Sequence, residues 1–505
     1  MEGGATGIAA RGRGERSIGL VPRTPVVLLL AAVVAALVSL PAGSASATSK
    51  SRPTVAAELQ KLVAAGTLDP ALATRYRDAD RQARTTLKRL HGFRHAQLKA
   101  VIANLDAAAR GGLLIPSRLP ALFLTLQRNR AWWAAAPIPA AGQRMTFSGS
   151  LVVWQFYPGQ GLQIQWLGTF GKANALWMVK GRDPELRRLL DEALGLATQR
   201  AGGIAFEYLF RFDGGRPPWV SGLAQATGLS ALSRTAVRLK DPRYFEAARS
   251  ALGIFRTPPP AGVRVATPAG AHYLQYSFAP ELHIANGFIQ ALNGLHDFAA
   301  LAHDAEGQGL FAAGEAQLRS ELPGFDTGAW SLYARPGVES DLGYHRLLRD
   351  FLRGLCDRLT DDLRRAGGGL PVTAPAPDVG GTPAAPGTAP LPDPALYCDT
   401  AERFTADMVT KPVLTLTPPA TLHARASGSI DYTTNKVAIV TVTIAKGATI
   451  VVRRTARLGY GGHAIGFRPV QPGPHTVRVH AVDLAGNAAV VTAALDVAAP
   501  RKPRR

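Results

Sequence analysis

Cysteine is scarce in this chain: 505 residues contain two, Cys356 and Cys398. There is no CxxC pair and no HExxH run, and the eleven histidines are scattered, so no local metal motif is present and neither metal nor cofactor is expected. Acidic residues are also few, 36 against 57 Lys and Arg, for a net charge of +21. After residue 40 no apolar run is long enough to cross a bilayer. The single long run, residues 26–40, is broken only by Ser39. Arg11, Arg13, Arg16 and Arg23 precede it, and "PAGSASA" follows, with Ala45, Ser46 and Ala47 forming an A-x-A site. That order is a secretory signal peptide over residues 1–47; the rival is a membrane anchor, for which the run is short. Cleavage would remove four Arg and two Glu and leave about +19. In an exported chain such charge suits an anionic polysaccharide or cell wall, not nucleic acid. The alternative is composition alone, since a sequence rich in Ala, Arg, Gly and Pro carries Arg everywhere.

The length exceeds what one core usually holds, so two or more folded units are expected. Residues 48–135 show apolar residues at helical spacing and no evident chemistry. From 145 to 220 the sequence is strand-rich, as in "GSLVVWQFYPGQGLQIQWLGTF". From 170 to 410 a helical pattern recurs, with Asp-Pro at 183, 241 and 393 opening amphipathic runs. Asp suits the N-cap and Pro the first helical position. Repeated helical hairpins of this size suggest an α/α toroid. Residues 366–392 are a Pro/Gly/Ala-rich insertion that cannot build a core. Cys356 and Cys398 flank it, so one disulfide could hold that hairpin; two buried free thiols are the alternative. Residues 411–498 alternate like short strands, and residues 499–505 form a basic tail. "PGPHTVRVHAVDLAGN" resembles the late strands of bacterial immunoglobulin-like or fibronectin-like modules. The expected fold is thus multi-domain and mainly α, with a β-rich subdomain and an all-β immunoglobulin-like sandwich.

Two segments carry a resemblance to a known family. "LQYSFAPELHIANGFIQALNGLHDF" and "FDTGAWSLYARPGVESDLGYHRLL" are similar to the C-terminal region of the D-glucuronyl C5-epimerases, in that family's order. "WVSGLAQATGLSALSRTAVRL" upstream is similar to its first helical hairpin. The resemblance spans roughly residues 205–410, with weaker support back to about 145; the rest lies outside it.

Inverting carbon 5 of a uronic acid removes a proton α to a carboxylate and returns one on the other face. A base, an acid and a cation are needed, the cation because the enolate would otherwise carry two negative charges. Tyrosine can carry the proton on either side. By resemblance, Tyr276, Tyr333 and Tyr344 take the positions of the family's catalytic tyrosines. Arg335 would neutralise the carboxylate, and His345 and Gln275 would contact substrate. Leu347, Leu348, Phe351, Leu352, Leu355 and Leu359 define a buried helix face, which places Tyr344 in the first turn if Ser340 or Asp341 caps it. The family has a glutamate where this chain has Gln275, an arginine three residues after the second tyrosine instead of two, and in its animal members a longer loop between the second and third tyrosines. Glu207 is an acid that could replace the missing base. Trp219 could stack on a sugar ring or pack in the core, and Asn286 could mend a helix irregularity.

The expected protein is a secreted or cell-surface-associated isomerase that needs no cofactor. It acts on glucuronic acid residues of a heparan sulfate-like or other anionic polysaccharide, and a homodimer is compatible with the sequence. A polysaccharide lyase, which forms the same enolate, and a non-catalytic glycan-binding protein are the alternatives.

Overall fold

The computed structural model describes residues 53–365 and 392–500. The expected signal peptide and nearly all of the 366–392 insertion and the 499–505 tail lie outside the described residues. The chain is mixed helix and sheet and divides into two compact units. No described helix is long and apolar enough to cross a membrane.

The first unit holds four helices, α1 (Val55–Ala64), α2 (Pro70–Arg89), α3 (Gly92–Arg110) and α4 (Leu119–Ala135). It also holds a small antiparallel sheet of β1 (Arg144–Met145), β2 (Trp154–Tyr157) and β3 (Gly161–Ile164). Asp69 accepts the Leu72 N–H at 2.8 Å, with Pro70 opening α2, so two orphan donors of the first turn cost nothing. Buried Asn129 on α4 pairs with the Leu162 backbone in both directions, at 2.7 and 2.8 Å, and fastens β3 to the helices. Sequence reading grouped these strands with the segment that follows; in contact they go with the N-terminal helices.

The second unit begins with α5 (Trp166–Met178), α6 (Asp183–Gly195) and the hairpin β4 (Thr198–Arg200) and β5 (Gly203–Ala205). Next come α7 (Gly222–Leu239), α8 (Arg243–Ala251), α9 (Gly253–Arg256), β6 (Arg264–Ala266), β7 (Ala271–Tyr273) and β8 (His283–Ile284). They lead to α10 (Ala285–Ala302), α11 (Ala305–Glu321), β9 (Leu332–Arg335), β10 (Val338–Glu339), α12 (Leu342–Arg365) and α13 (Pro394–Asp407). α7 and α10 form the inner pair, and α5 and α8 pack on α7 while α11 and α12 pack on α10. Their close crossing requires Gly294, because a Cβ there would stand 2.2 Å from the Ala226 carbonyl oxygen. Asp297 on α10 accepts from Ser230 and Arg234 of α7 and, with both its oxygens, from Nε and Nη2 of Arg358 on α12. Burial alone would raise its carboxyl, but Arg358 and Arg234 hold it below the usual range. The bridge Cys356–Cys398 joins α12 to α13 across the insertion.

The three Asp-Pro signals resolve differently. Asp393 caps α13 through the Ala395 N–H at 2.9 Å. Asp241 lies one residue ahead of the cap position of α8 and is also gripped by Arg187 and Arg243. Asp183 makes no cap, because Arg238 takes its carboxylate at 2.6 Å. A tertiary cation here outcompetes a local N–H.

The C-terminal strands are β11 (Leu414–Thr417), β12 (Leu422–His423), β13 (Gly428–Thr434), β14 (Ala438–Lys446), β15 (Thr449–Leu458), β16 (Gly461–Phe467), β17 (Gly473–Asp483) and β18 (Ala488–Ala498). One sheet runs β11-β13-β16 and the other β12-β18-β17-β14-β15. The alternation read from sequence is real: Val477, Val479 and Ala481 of β17 point inward and join Ile430, Val442 and Phe467 in one core.

Candidate functional site

The segment 325–348 builds a strand, a turn and a helix start. In β9, Leu332 and Ala334 are buried, so Tyr333 and Arg335 share the opposite face. The Arg335 guanidinium stands 5.9 Å from the centre of the Phe325 ring. Asp341 then caps α12 by accepting the Tyr344 N–H at 2.8 Å, which sets Tyr344 in the first turn. Behind it Leu348, Leu352, Leu355 and Leu359 are buried, while Leu347 and Phe351 are half-buried. The half-buried rings of Tyr333 and Tyr344 meet with centroids 4.5 Å apart.

Tyr276 follows β7, half-buried in an aromatic group with Phe212, Trp219 and Phe278. Buried Gln275 donates from Nε2 to the Tyr276 hydroxyl at 2.8 Å. The first turn of α10 lies tight against Gln275, since a Cβ on Gly287 would come 2.6 Å from its Oε1. That Oε1 and the Oδ1 of buried Asn286 have no hydrogen-bond partner. β8 pairs antiparallel with β9, His283 opposite Arg335 and Ile284 opposite Ala334, so the stretch after Tyr276 is bonded to the strand carrying Tyr333.

His345 is placed differently from a substrate contact. It is fully buried and stacks on Trp330 with centroids 3.8 Å apart. Nδ1 lies 2.8 Å from the Ser331 hydroxyl and Nε2 2.8 Å from the Phe404 carbonyl oxygen. Its neighbour Tyr344 faces out, and His345 anchors the turn from within. Trp219 is likewise enclosed, stacked on Tyr208 with centroids 4.2 Å apart. Glu207 is buried and bonds Arg200 at 2.9 Å, which ties up the acid considered as a spare base.

Burial pushes His345 down to about 4; the Phe404 carbonyl opposes this, and Lys436 and Arg349 add to it. The unfolded chain therefore binds the proton more readily than the folded one. The stability from this group is complete above its ordinary value of about 6.5 and is lost as pH falls toward 4, with about 2 kcal/mol gone by pH 5. Asp407 works in the opposite sense. Burial lifts it to about 6, so its folded form holds a proton more tightly, and its penalty is relieved on acidification from 6 downward. Asp407→Asn should therefore melt with a steeper loss between pH 7 and 5 than the parent, and His345→Gln with a shallower one. Parallel curves for all three proteins in thermal unfolding would contradict the assignment.

A second group escaped sequence reading. His272 on β7, His283 on β8 and Glu321 at the end of α11 come together, although the glutamate is 49 and 38 residues from the two histidines. No local spacing signals a set assembled from two strands and a helix.

Residues 201–363 match the sequence model of the family described as D-glucuronyl C5-epimerase C-terminus. The chain is similar to the D-glucuronyl C5-epimerase of Caenorhabditis elegans, 32% identical over 130 residues, which is 23% of this chain and 21% of that protein. It is also similar to the uncharacterized protein MJ1128 of Methanocaldococcus jannaschii, 26% identical over 150 residues, 29% of this chain and 49% of that protein. The chain thus spans about a fifth and about half of these two relatives. The solved Lin0763 protein from Listeria innocua is 11% identical, with a TM-score of 0.29 over 62% of this chain and 84% of that one, and carries no argument about the fold. The matched stretch contains Gln275, Tyr276, Tyr333, Arg335 and Tyr344.

Proposed function

We propose that this protein is a uronate C5-epimerase, secreted and acting without a cofactor on glucuronic acid residues of an anionic polysaccharide. The helical part of the second unit would be an α/α toroid holding the site, and the C-terminal strands an immunoglobulin-like module. The observation that carries the reading is the meeting of Tyr333 and Tyr344, with Arg335 on the same strand face, inside the family-matched segment.

The geometry refines the roles. Rings 4.5 Å apart leave no room for a sugar between them, so Tyr333 and Tyr344 serve one face of the substrate. Tyr276 is then the carrier for the other. One phenolate takes the carbon 5 proton, the electron pair passes into the carboxylate, and Arg335 balances the second negative charge. The opposite phenol returns a proton, and the two tyrosines exchange protonation states. Gln275 cannot accept a proton as a glutamate would. It donates to the Tyr276 oxygen instead, the polarity that suits a base.

The test is incubation with glucuronic acid polymers in D2O, read by NMR. Deuterium at carbon 5 with intact chains is the expected result. An unsaturated, ultraviolet-absorbing product would make it a lyase, and binding without exchange on any uronate polymer would leave a glycan-binding protein.

A further inference from the structure

Three polar side chains that the tyrosine chemistry does not use are packed together beside β8. His272 is fully buried, Glu321 nearly so, and His283 is 27% exposed. Each offers a donor atom, and the three atoms lie within 4.8 Å of one another. His272 Nδ1 is 2.9 Å from Glu321 Oε2, and His283 Nδ1 is 3.2 Å from Oε1. The two imidazoles stack with centroids 4.0 Å apart. Gln317 donates to the same carboxylate and its Oε1 accepts from the Thr267 hydroxyl, so a second layer orients it. The remaining nitrogen of His272, Nε2, is buried with no partner. As plain packing this is costly, because polar groups are withdrawn from water and one is left unmatched.

We propose that His272, His283 and Glu321 form a binding site for one divalent transition metal ion of the zinc class. Two imidazoles and one carboxylate suit such an ion, whereas calcium and magnesium take oxygen donors. Water completes the coordination on the side of His283, the one ligand that reaches solvent. The ion would tie together three elements, two of them joined to the candidate site. β7 runs directly into Gln275 and Tyr276, β8 pairs with the strand carrying Tyr333 and Arg335, and α11 supplies the carboxylate. The inference is independent of the epimerase reading, since none of its three donors is a residue assigned to the tyrosine chemistry.

The test is calorimetric titration of chelator-stripped protein with zinc chloride near neutral pH. One equivalent is expected, with a rise of several degrees in melting temperature, and calcium chloride should produce neither. Cobalt(II) should give the visible absorption of a low-coordinate site. His283→Ala, at a partly exposed position, should abolish the equivalent and the thermal shift. Glu321→Gln keeps the shape of the side chain and should weaken binding at least tenfold. Absence of stoichiometric zinc in the parent, or uptake unchanged in both variants, overturns the proposal.

Discussion

Tyr344→Phe should lower deuterium incorporation at carbon 5 by roughly 10²–10⁴-fold, the usual worth of a positioned proton carrier, with little change in melting temperature. The substitution removes one oxygen. The Asp341 cap uses the backbone N–H of residue 344, so it survives, as does the ring contact with Tyr333. The helix face beneath, from Leu348 to Leu359, is untouched. A fall in exchange with retained glycan binding therefore reports chemistry. Tyr276→Phe should fall comparably if it serves the opposite face, and Tyr333→Phe less, since Tyr344 shares its side. Exchange near the parent rate in Tyr344→Phe would remove the tyrosine mechanism.

Lys436→Met should destabilise the second unit by about 3–5 kcal/mol, the cost of breaking a buried ion pair from one side. Lys436 and Asp483 are both fully buried. Nζ donates to the carbonyl oxygens of Asp407 and Thr410 at 2.8 and 2.7 Å and reaches Asp483 at 3.4 Å. The two carbonyls close the C-terminal end of α13, where a cation also meets the helix dipole favourably. Methionine fills much of the volume but leaves the two carbonyls without their donor and the Asp483 charge uncompensated, even though that carboxylate keeps its bonds from Ala485 and Asn487. Lys436 also lies 5.6 Å from the Trp330 ring, the partner of His345. Loss of the lysine should thus loosen the C-terminal strands and the Tyr344 turn together. Urea unfolding of the two proteins measures this, and a cost under about 1 kcal/mol would mean that the pair merely breaks even.

Much of the site was legible from local pattern. The cap at Asp341, the first-turn position of Tyr344 and the buried face of α12 depend on spacing within a few residues, and the chain folds as that spacing requires. The same holds for β17, whose alternation needs only the strand period. His345 was not legible. A histidine beside a candidate tyrosine has the same sequence whether it faces solvent or lies under Trp330. Asp183 shows the same limit, since its cap role was taken by Arg238, 55 residues away.

By itself the sequence determined the helical and strand periodicities, the cap at Asp393, the first-turn place of Tyr344 and the family-like tyrosine motifs. Only the tertiary structure decided which side chains meet. It set Tyr333 against Tyr344, withdrew His345 into the core, joined Cys356 to Cys398, and gathered His272, His283 and Glu321 from three elements. The reason is physical: hydrophobic periodicity and capping act over a turn or two, whereas ion pairs, ring stacks and metal-type donor sets depend on how whole elements cross.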